Sequence, residues 1–494
     1  MVSPDDSLRE SERDAVKDRA AAAAGIYALG GIAQQVLGFF GILVLARFID
    51  PHDFGVVAFG TTLIASIQIF ADGGLGVALI RQPGEVTRRQ FEAVMGAQLV
   101  AATVIAAAIA AVAVWFGKAG SATAIMVVAV PIISWRSAGT VRVERELRYR
   151  PLVIVSLAEV VAYYSWCIPG VILGWNVWAL ATGVVLRCIV GTVLQGWLLR
   201  DVRLWPRLEW APVRPLIRFG SQFVAAGGAI FLRDQSLNFG ISGVGGLSLL
   251  GLWSFAGRLL QPINLLYSTL WRVTYPTMSR LLELDEDPVP VMNRIARFVA
   301  IVSSVLFVPL VVCSHAVVIE VFGARWADVS EIFPALCFGM LVTGPCSTAV
   351  TGYLFASGDA QTPRNAILAQ FAAALVVTLP LLPVIGPWAL GIGSAVGAIA
   401  DTVVLMRRVR RTTAFSLRAI AIPGLCALLA ALPFWLAVLL RSPRIGYELA
   451  CGGGSLAVFA ALLMLADRRA LSETADLALR VSQAALRRQP VSAS

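Results

Sequence analysis

The stretch QLVAATVIAAAIAAVAVWF, residues 98–116, decides the fold class because it contains no charged residue. A helix rises about 1.5 Å per residue, so a run of this length approaches the roughly 30 Å thickness of a bilayer core. Apolar runs of similar length follow one another from Ala21 to Ala466, with the charges gathered between them. Only 14% of the 494 residues are charged, whereas soluble proteins carry about a quarter. The sequence therefore predicts an all-α polytopic membrane protein.

The apolar runs predict about 14 transmembrane helices. Their expected limits are 21–49, 54–80, 90–116, 121–140, 151–173, 176–199, 216–240, 247–275, 296–321, 330–356, 365–385, 387–406, 415–440 and 446–466. The positive-inside rule supports this count independently. With a cytoplasmic N-terminus, the inner segments hold about 30 Lys and Arg residues and the outer loops about four. Because one missed helix would invert the bias beyond it, we expect both termini to be cytoplasmic.

Other sequence features argue against a removed leader, disulfides and metal sites. The polar segment Met1–Arg19 does not resemble a cleaved signal peptide, so we expect the first span to be retained. The seven cysteines are scattered through the spans and are interpreted as small core residues. His52 and His315, the two histidines, suggest no metal site. We expect no metal, no cofactor and no catalytic residue.

The net charge of +10 is interpreted as a topology signal, with the arginines beside anionic inner-leaflet headgroups. No nucleic-acid partner is expected, because such binding needs a basic face on a recognisable fold. No predicted loop exceeds about 20 residues and no phosphate-loop motif is present, which argues against an ATP-driven pump within this chain.

A short pattern occurs twice, at Phe54–Phe59 and at Leu250–Phe255: an aromatic or aliphatic residue, glycine, two apolar residues, a small residue and phenylalanine. Six predicted spans separate the copies, so the repeats would be parallel. We expect two parallel six-helix bundles around a central cavity plus two C-terminal helices. The predicted domains are an N-terminal tail (1–20), an N-terminal bundle (21–199), an inter-bundle loop (200–215), a C-terminal bundle (216–406), two additional helices (415–466) and a C-terminal tail (467–494).

Several motifs resemble the polysaccharide-transporter branch of the multidrug/oligosaccharidyl-lipid/polysaccharide flippase superfamily. They are IDPHDFG (49–55), FADGGLG (70–76), ALIRQ (78–82), RELRYR (145–150) and the segment from Leu250–Gly251 through Arg258–Leu259. The resemblance covers roughly residues 20 to 370. One departure concerns the seventh span, where the family often has an Asp-Asn pair and this chain has Leu237–Asn238. Asp234 lies three residues earlier, on nearly the same helix face.

The resemblance implies a Wzx-type flippase in the bacterial inner membrane that moves undecaprenyl-pyrophosphate-linked oligosaccharide outward for O-antigen or exopolysaccharide synthesis. The implied partners are this lipid-linked substrate, the lipid bilayer, and a polysaccharide polymerase with its chain-length machinery. It also implies a transporter and not an enzyme.

Ionisable residues within spans are costly and usually face a cavity or a partner. Arg187 and Arg258 are predicted near mid-membrane, and Arg233 and Asp234 in the outer half of the seventh span. Guanidinium groups bind phosphate oxygens bidentately, so we expect these three arginines to line a substrate cavity. Six amide side chains are candidates for sugar hydroxyls or for interhelical hydrogen bonds: Gln34, Gln35, Gln68, Gln98, Gln222 and Asn264.

Three acidic residues within spans, Asp72, Glu159 and Asp234, are candidates for ion coupling or gating, or for structural pairing with arginines. The glycines after Asp72 predict close packing or a local break in the second helix, because no strand precedes them as in a nucleotide loop. The alternative for Asp72 is a carboxylate held by an arginine such as Arg136.

Three other functions stay open. A lipid II flippase of the same superfamily would share the 14-span plan and a cationic cavity. A cation-coupled drug exporter would need a more acidic cavity and 12 spans. A polysaccharide polymerase would usually need a long outer loop, and no predicted outer loop is long enough.

Overall fold

The computed structural model describes residues 25–27, 29–82, 86–146, 148–200, 204–217, 235–440 and 445–467. These residues form helices and turns, with no β-strand among them. The chain divides into two compact units, residues 1–258 and 259–494. This division falls later in the sequence than the predicted inter-bundle loop. Each unit is described by itself.

The described part of the first unit contains ten helices, besides a 3₁₀ turn, Val114–Phe116, and a short helical segment at 214–217. Their bounds are α1 (Gly25–Ala46), α2 (Pro51–Asp72), α3 (Leu75–Arg81), α4 (Arg88–Ala113), α5 (Gly117–Val127), α6 (Ala129–Arg145), α7 (Tyr149–Ile172), α8 (Val177–Leu198), α9 (235–244) and α10 (Gly246–Leu259).

The described part of the second unit contains seven long helices. Their bounds are α11 (Gln261–Glu283), α12 (Val289–Val312), α13 (Val329–Ala356), α14 (Gln361–Ile385), α15 (Trp388–Thr412), α16 (Arg418–Leu439) and α17 (Ile445–Ala466). Between α12 and α13 the chain forms a short helix, Ser314–Ala316, a π-helix, Val317–Phe322, and a 3₁₀ turn, Ala324–Trp326.

The helix starts follow ordinary capping chemistry. Asp50 accepts a hydrogen bond from the backbone N–H of Asp53 at 2.8 Å, and Pro51 opens α2 with its preset φ. At the start of α4, Thr87 and Gln90 form a reciprocal capping box. These contacts satisfy backbone donors that the first helical turn leaves without an intrahelical partner.

Glycine brings α2 and α10 into close contact within the first unit. A Cβ on Gly55 would overlap the carbonyl group of Leu247, and a Cβ on Gly251 would overlap that of Pro51. Both glycines belong to the pattern that recurs at Phe54–Phe59 and Leu250–Phe255. The recurring glycine therefore has a packing reason here, because it lets two helix backbones touch.

The core of the second unit consists of buried apolar side chains from several helices. It includes Met278, Met292, Val350 and Leu405. Prolines lie inside several of these helices, including Pro345 in α13. Membrane helices tolerate such residues where neighbouring groups satisfy the freed carbonyls.

Eleven helices among the described residues are long and apolar enough to cross a membrane. The all-α membrane architecture is thus confirmed, while the count of 14 stays a prediction. Most of the predicted seventh span lies outside the described residues. The predicted eighth span, 247–275, is two helices, because α10 ends at Leu259 and α11 begins at Gln261, followed by Pro262.

Candidate functional site

Arg187 on α8 lies over the ring of Tyr163 on the neighbouring helix α7. Its Cζ is 5.7 Å from the ring centroid, within the range of a cation–π contact. The Nε of Arg187 is buried and has no hydrogen-bond partner in the described part of the chain. Because a buried donor without a partner is costly, this nitrogen is suited to an acceptor on a ligand.

Arg258, near the end of α10, also lies over an aromatic ring. Its Cζ is 5.2 Å from the ring centroid of Phe54 on α2, and it interacts electrostatically with Tyr163, as Arg187 also does. Neither arginine forms a salt bridge with any carboxylate among the described residues. The first unit therefore holds two guanidinium groups beside aromatic rings, a set suited to a phosphate-bearing ligand.

Helix α1 contacts α7 through a hydrogen bond. The Tyr164 hydroxyl donates to the backbone oxygen of Gly38 at 2.9 Å. Gln34 and Gln35 lie about one turn earlier on α1; Gln34 is half-buried and Gln35 is exposed. Asn264 belongs to the second unit, where it is exposed on α11.

Glu159 pairs with Arg136 across α7 and α6. Each of these side chains is less than one fifth exposed, at 18% and 17% respectively. A Cβ on Gly191 of α8 would overlap both groups, so the glycine makes room for the pair. Glu159 precedes Tyr163 by one helical turn, and the ion pair therefore continues the line of polar groups along α7.

Asp72 lies at a break in the helix that was predicted as the second span. Helix α2 ends at Asp72 and α3 begins at Leu75, with Gly73 and Gly74 both at positive φ, 54° and 74°. The carboxylate accepts backbone N–H bonds from Gly74 at 3.1 Å and from Gly76 at 3.2 Å. The predicted local break in the helix is present.

The alternative for Asp72, a carboxylate held by Arg136, is not observed. Arg136 pairs with Glu159, and Asp72 instead accepts a 2.7 Å hydrogen bond from the Gln98 amide. Gln98 in turn accepts from the Ser137 hydroxyl at 2.6 Å. Gln98 was a candidate for contact with sugar hydroxyls or for an interhelical hydrogen bond. The structure shows an interhelical hydrogen bond.

The departure from the family pattern in the seventh span is partly described. Asn238 on α9 donates to the Thr62 hydroxyl on α2 at 3.1 Å. Arg233 and Asp234, the two charged candidates of this span, lie outside the described residues, as does Gln222.

A cavity of ≈ 490 Å³ lies within the first unit beside the Arg136–Glu159 pair. Three tryptophans line it, and the rings of Trp135 and Trp205 meet edge to face at 6.2 Å between centroids. Its polar lining includes Arg136 and Gln195. Tryptophan rings of this kind suit the boundary between apolar and polar surroundings.

Asp50, His52 and Asp53 are the one group of three potential metal ligands that the described residues bring together, within 4.8 Å. The first carboxylate caps α2, and Asp53 also accepts the Val177 N–H at 3.2 Å. Asp50 and His52 are exposed. Because both carboxylates already have structural partners, this group is interpreted as a helix cap.

The aromatic partners Phe54, Tyr163 and Tyr164 are missing from the residues that sequence analysis selected. One available signal was the spacing of Tyr163, four residues after Glu159 on a membrane helix. No comparable signal links Arg258 to Phe54, because that contact depends on the crossing of α2 and α10.

The architecture has known counterparts. The lipid II flippase MurJ in an inward closed conformation matches 90% of this chain and 98% of its own, with a TM-score of 0.65 and 13% identity. An inward-facing multidrug resistance MATE family transporter of the MOP superfamily matches 77% and 94%, with a TM-score of 0.56 and 14% identity. The chain thus has the fold of a multi-pass membrane protein of the MOP type.

Sequence comparison defines the family. The chain belongs to the polysaccharide biosynthesis protein family, whose model matches residues 44–331. It is 24% identical over 328 residues to the succinoglycan biosynthesis transport protein ExoT of Rhizobium meliloti, and 22% identical over 313 residues to the lipopolysaccharide biosynthesis protein WzxC of Escherichia coli. These matches span 64% and 61% of this chain, and 65% and 63% of the relatives. The family resemblance is therefore confirmed.

Proposed function

We propose that this protein is a flippase that moves undecaprenyl-pyrophosphate-linked oligosaccharide repeat units across the bacterial inner membrane for surface polysaccharide synthesis. It works by alternating access, has both termini in the cytoplasm and performs no catalysis. Its partners are the bilayer, the lipid-linked substrate, and a polysaccharide polymerase with chain-length machinery. The family match and the transport function named for one relative support this proposal.

The observation that carries the proposal is that Arg187 and Arg258 lie over aromatic rings, those of Tyr163 and Phe54. Aromatic rings attract these cations without neutralising them, so their N–H donors stay available for phosphate oxygens. Tyrosine rings beside them offer flat apolar faces and a hydroxyl to a sugar. An anionic headgroup attached to sugars fits this combination of groups.

The remaining candidates have supporting roles in this proposal. Arg233, Gln34, Gln35 and Asn264 contribute to substrate binding, and Asp72, Glu159 and Asp234 to ion coupling or gating. The contacts of Asp72 with Gln98 and of Glu159 with Arg136 favour gating through helix packing for these two residues. Each would then act through contacts between helices and not by touching the substrate.

A lipid II flippase is the alternative from the same superfamily. The likeness to MurJ, at 13% identity, shows the fold alone. The family match and both curated relatives concern polysaccharide biosynthesis. We therefore assign the repeat-unit substrate.

The test is complementation of a strain in which the gene is deleted. Arg187→Ala and Arg258→Ala should each lower surface polysaccharide at least about tenfold, because each removes charge-assisted bonds to phosphate. The lipid-linked repeat unit should accumulate at the same time. Arg200→Ala is the matched control, since Arg200 also lies over a ring, that of Trp197 at 5.6 Å, but is exposed at the end of α8.

Normal surface polysaccharide from both alanine variants at normal expression would contradict the assignment of these arginines. Accumulation of lipid II in the deletion strain, with no accumulation of repeat units, would instead support the alternative substrate.

A further inference from the structure

Glu448, near the start of α17, is a fully buried carboxylic acid in the second unit, with 0% of its side chain exposed. Its Oε2 accepts the backbone N–H of Ala316 at 2.7 Å. Fully buried acidic residues are rare, because removing a carboxylate from water is costly unless it is paired or protonated. The residue is not part of the arginine site in the first unit.

His315 lies against the other oxygen of this carboxyl group. Its Nδ1 is 3.4 Å from Glu448 Oε1, and neither atom makes a hydrogen bond to any other described residue. Within the described ranges, His315 alone lies within ion-pair distance of Glu448. The histidine side chain is 33% exposed, so it connects the buried carboxyl group to the surroundings.

These positions determine which protonation states of the pair are favourable. With no shared proton, a buried carboxylate would face a neutral imidazole, which is the most costly state in a medium of low dielectric constant. With one proton, the pair is either carboxylate and imidazolium or carboxylic acid and imidazole, and it carries no net charge in both forms. With two protons, the positive charge lies on the partly exposed histidine. The arrangement therefore favours states that hold at least one proton.

No other described charged residue lies within ion-pair distance of the pair, although α12 and α16 carry Arg294, Arg297 and Arg418. Helices α12 and α16, which pack against α17, carry no acidic residue. The Arg297–Asp467 contact lies at the opposite end of α17. The thiol of Cys313 donates to the backbone oxygen of Glu448 at 3.2 Å, and Cys451 lies close to it. The other charged residues of the segment after α12 are Glu320, Arg325, Asp328 and Glu331.

We propose that His315 and Glu448 form a proton-binding site that links pH to the packing of α17. On acidification, a proton from solvent enters through the imidazole, so that both groups become protonated. This inference does not rest on the proposed transport function, because proton binding is a property of the isolated protein.

A backbone hydrogen bond to Glu448 explains how protonation affects the packing of α17. The Ala316 N–H bond to Glu448 is charge-assisted while the carboxyl group is ionised, and it weakens when the group is neutral. This bond holds the start of the π-helix Val317–Phe322 against α17. π-helical segments occur often at functional sites. Protonation therefore loosens the contact between the π-helix and α17.

The test is infrared difference spectroscopy of the purified protein in lipid, recorded between about pH 7.5 and pH 5, the range in which histidine commonly titrates. The wild type should show a pH-dependent band from the carbonyl stretch of a buried, protonated carboxyl group. Glu448→Gln should remove this band. His315→Gln, at a more exposed position, should abolish its pH dependence, because the carboxyl group then keeps its proton throughout.

Two matched controls isolate the pair. His52→Gln replaces the other histidine and Glu286→Gln an exposed carboxylate, and both should leave the band unchanged. Identical difference spectra for wild type and Glu448→Gln would overturn the proposal. If Glu448→Gln does not fold, the His315→Gln variant decides alone: an unaltered pH-dependent band would overturn the proposal, and loss of its pH dependence would support it.

Hydrogen exchange provides a second measurement. At one fixed pH, the amide of Ala316 should exchange faster in Glu448→Gln than in the wild type, on the order of tenfold, because a neutral acceptor replaces an ionised one. Equal exchange in the two proteins would contradict the proposed link between protonation and packing.

Discussion

At the residue scale, Asp72 shows how one carboxylate can stabilise an interrupted membrane helix. Three donors bind it: the N–H groups of Gly74 and Gly76 and the amide of Gln98. Backbone amides freed by a helix break need partners in a region without water. The carboxylate therefore offsets part of the free-energy cost of the break. The glycines permit the positive φ angles of the backbone there.

Gly74→Ala should destabilise the protein by about 1–2 kcal/mol, because alanine is strained at the positive φ of this position. Thermal unfolding in detergent would show a lower Tm. Gly424→Ala is the matched control: this glycine lies within α16 and no atom of another group is within 4 Å of its added Cβ. It should be neutral or slightly stabilising. Equal losses from both substitutions would contradict the role of the backbone angle.

Asp359, in the turn between α13 and α14, makes a separate residue-scale prediction about pH. Burial raises the pKa of Asp359, but hydrogen bonds from Thr362 and Arg408 outweigh it and hold that pKa below its usual value. The Arg408 Nε lies 2.7 Å from the carboxylate. A lowered pKa in the folded state stabilises the fold above the unfolded-state pKa of about 3.9, and this contribution is lost as the pH falls through the folded-state pKa.

Asp359→Asn should therefore lower the free energy of unfolding at neutral pH by about 1 kcal/mol. The difference from the wild type should shrink as the pH falls below about 4. Tm values measured across this pH range would check the prediction, with Glu286→Gln as an exposed control. A difference that stayed constant down to the lowest pH would count against it.

At the element scale, the crossing of α2 and α10 depends on glycine in both helices. Gly55 and Gly251 each leave no room for a Cβ against the opposing backbone. The crossing also places the ring centroids of Phe54 and Phe255 5.9 Å apart, with Arg258 over the Phe54 ring. Helix packing at this point therefore positions one of the two arginines of the candidate site.

Gly251→Ala should destabilise the first unit by about 1–3 kcal/mol, because backbone atoms cannot move aside as a flexible side chain can. It should also lower surface polysaccharide in the complementation assay. Gly257→Ala in the same helix should have little effect, since an added Cβ there meets no atom within 4 Å. Full activity and an unchanged Tm in Gly251→Ala would show that the helices cross elsewhere.

At the scale of the whole molecule, the distribution of positive charge predicts the orientation of the chain. The count of about 14 spans puts Lys118 outside and Glu286 inside. Both residues are exposed, and the seven native cysteines are buried, so labelling of introduced cysteines would have a low background.

Lys118→Cys should react with a membrane-impermeant maleimide in intact spheroplasts, and Glu286→Cys should react only after the membrane is opened. The reason is that positively charged loops stay on the cytoplasmic side during insertion. The reverse pattern, or labelling of both variants in intact spheroplasts, would contradict the predicted topology.

Hydropathy and charge were sufficient for the membrane class and most helix positions. They also made Arg187 and Arg258 candidates for the site, because burying a charge in a bilayer is costly wherever it occurs. The glycines after Asp72 likewise predicted a helix break. The sequence did not predict which side chains contact one another. Arg136 lies beside Glu159 and not Asp72, Arg187 lies over Tyr163 and Arg258 over Phe54. His315 meets Glu448 from a distant part of the chain. These contacts depend on which helix faces meet, and that is set by close packing at points such as Gly55, Gly191 and Gly251, where one added methyl group would separate the helices.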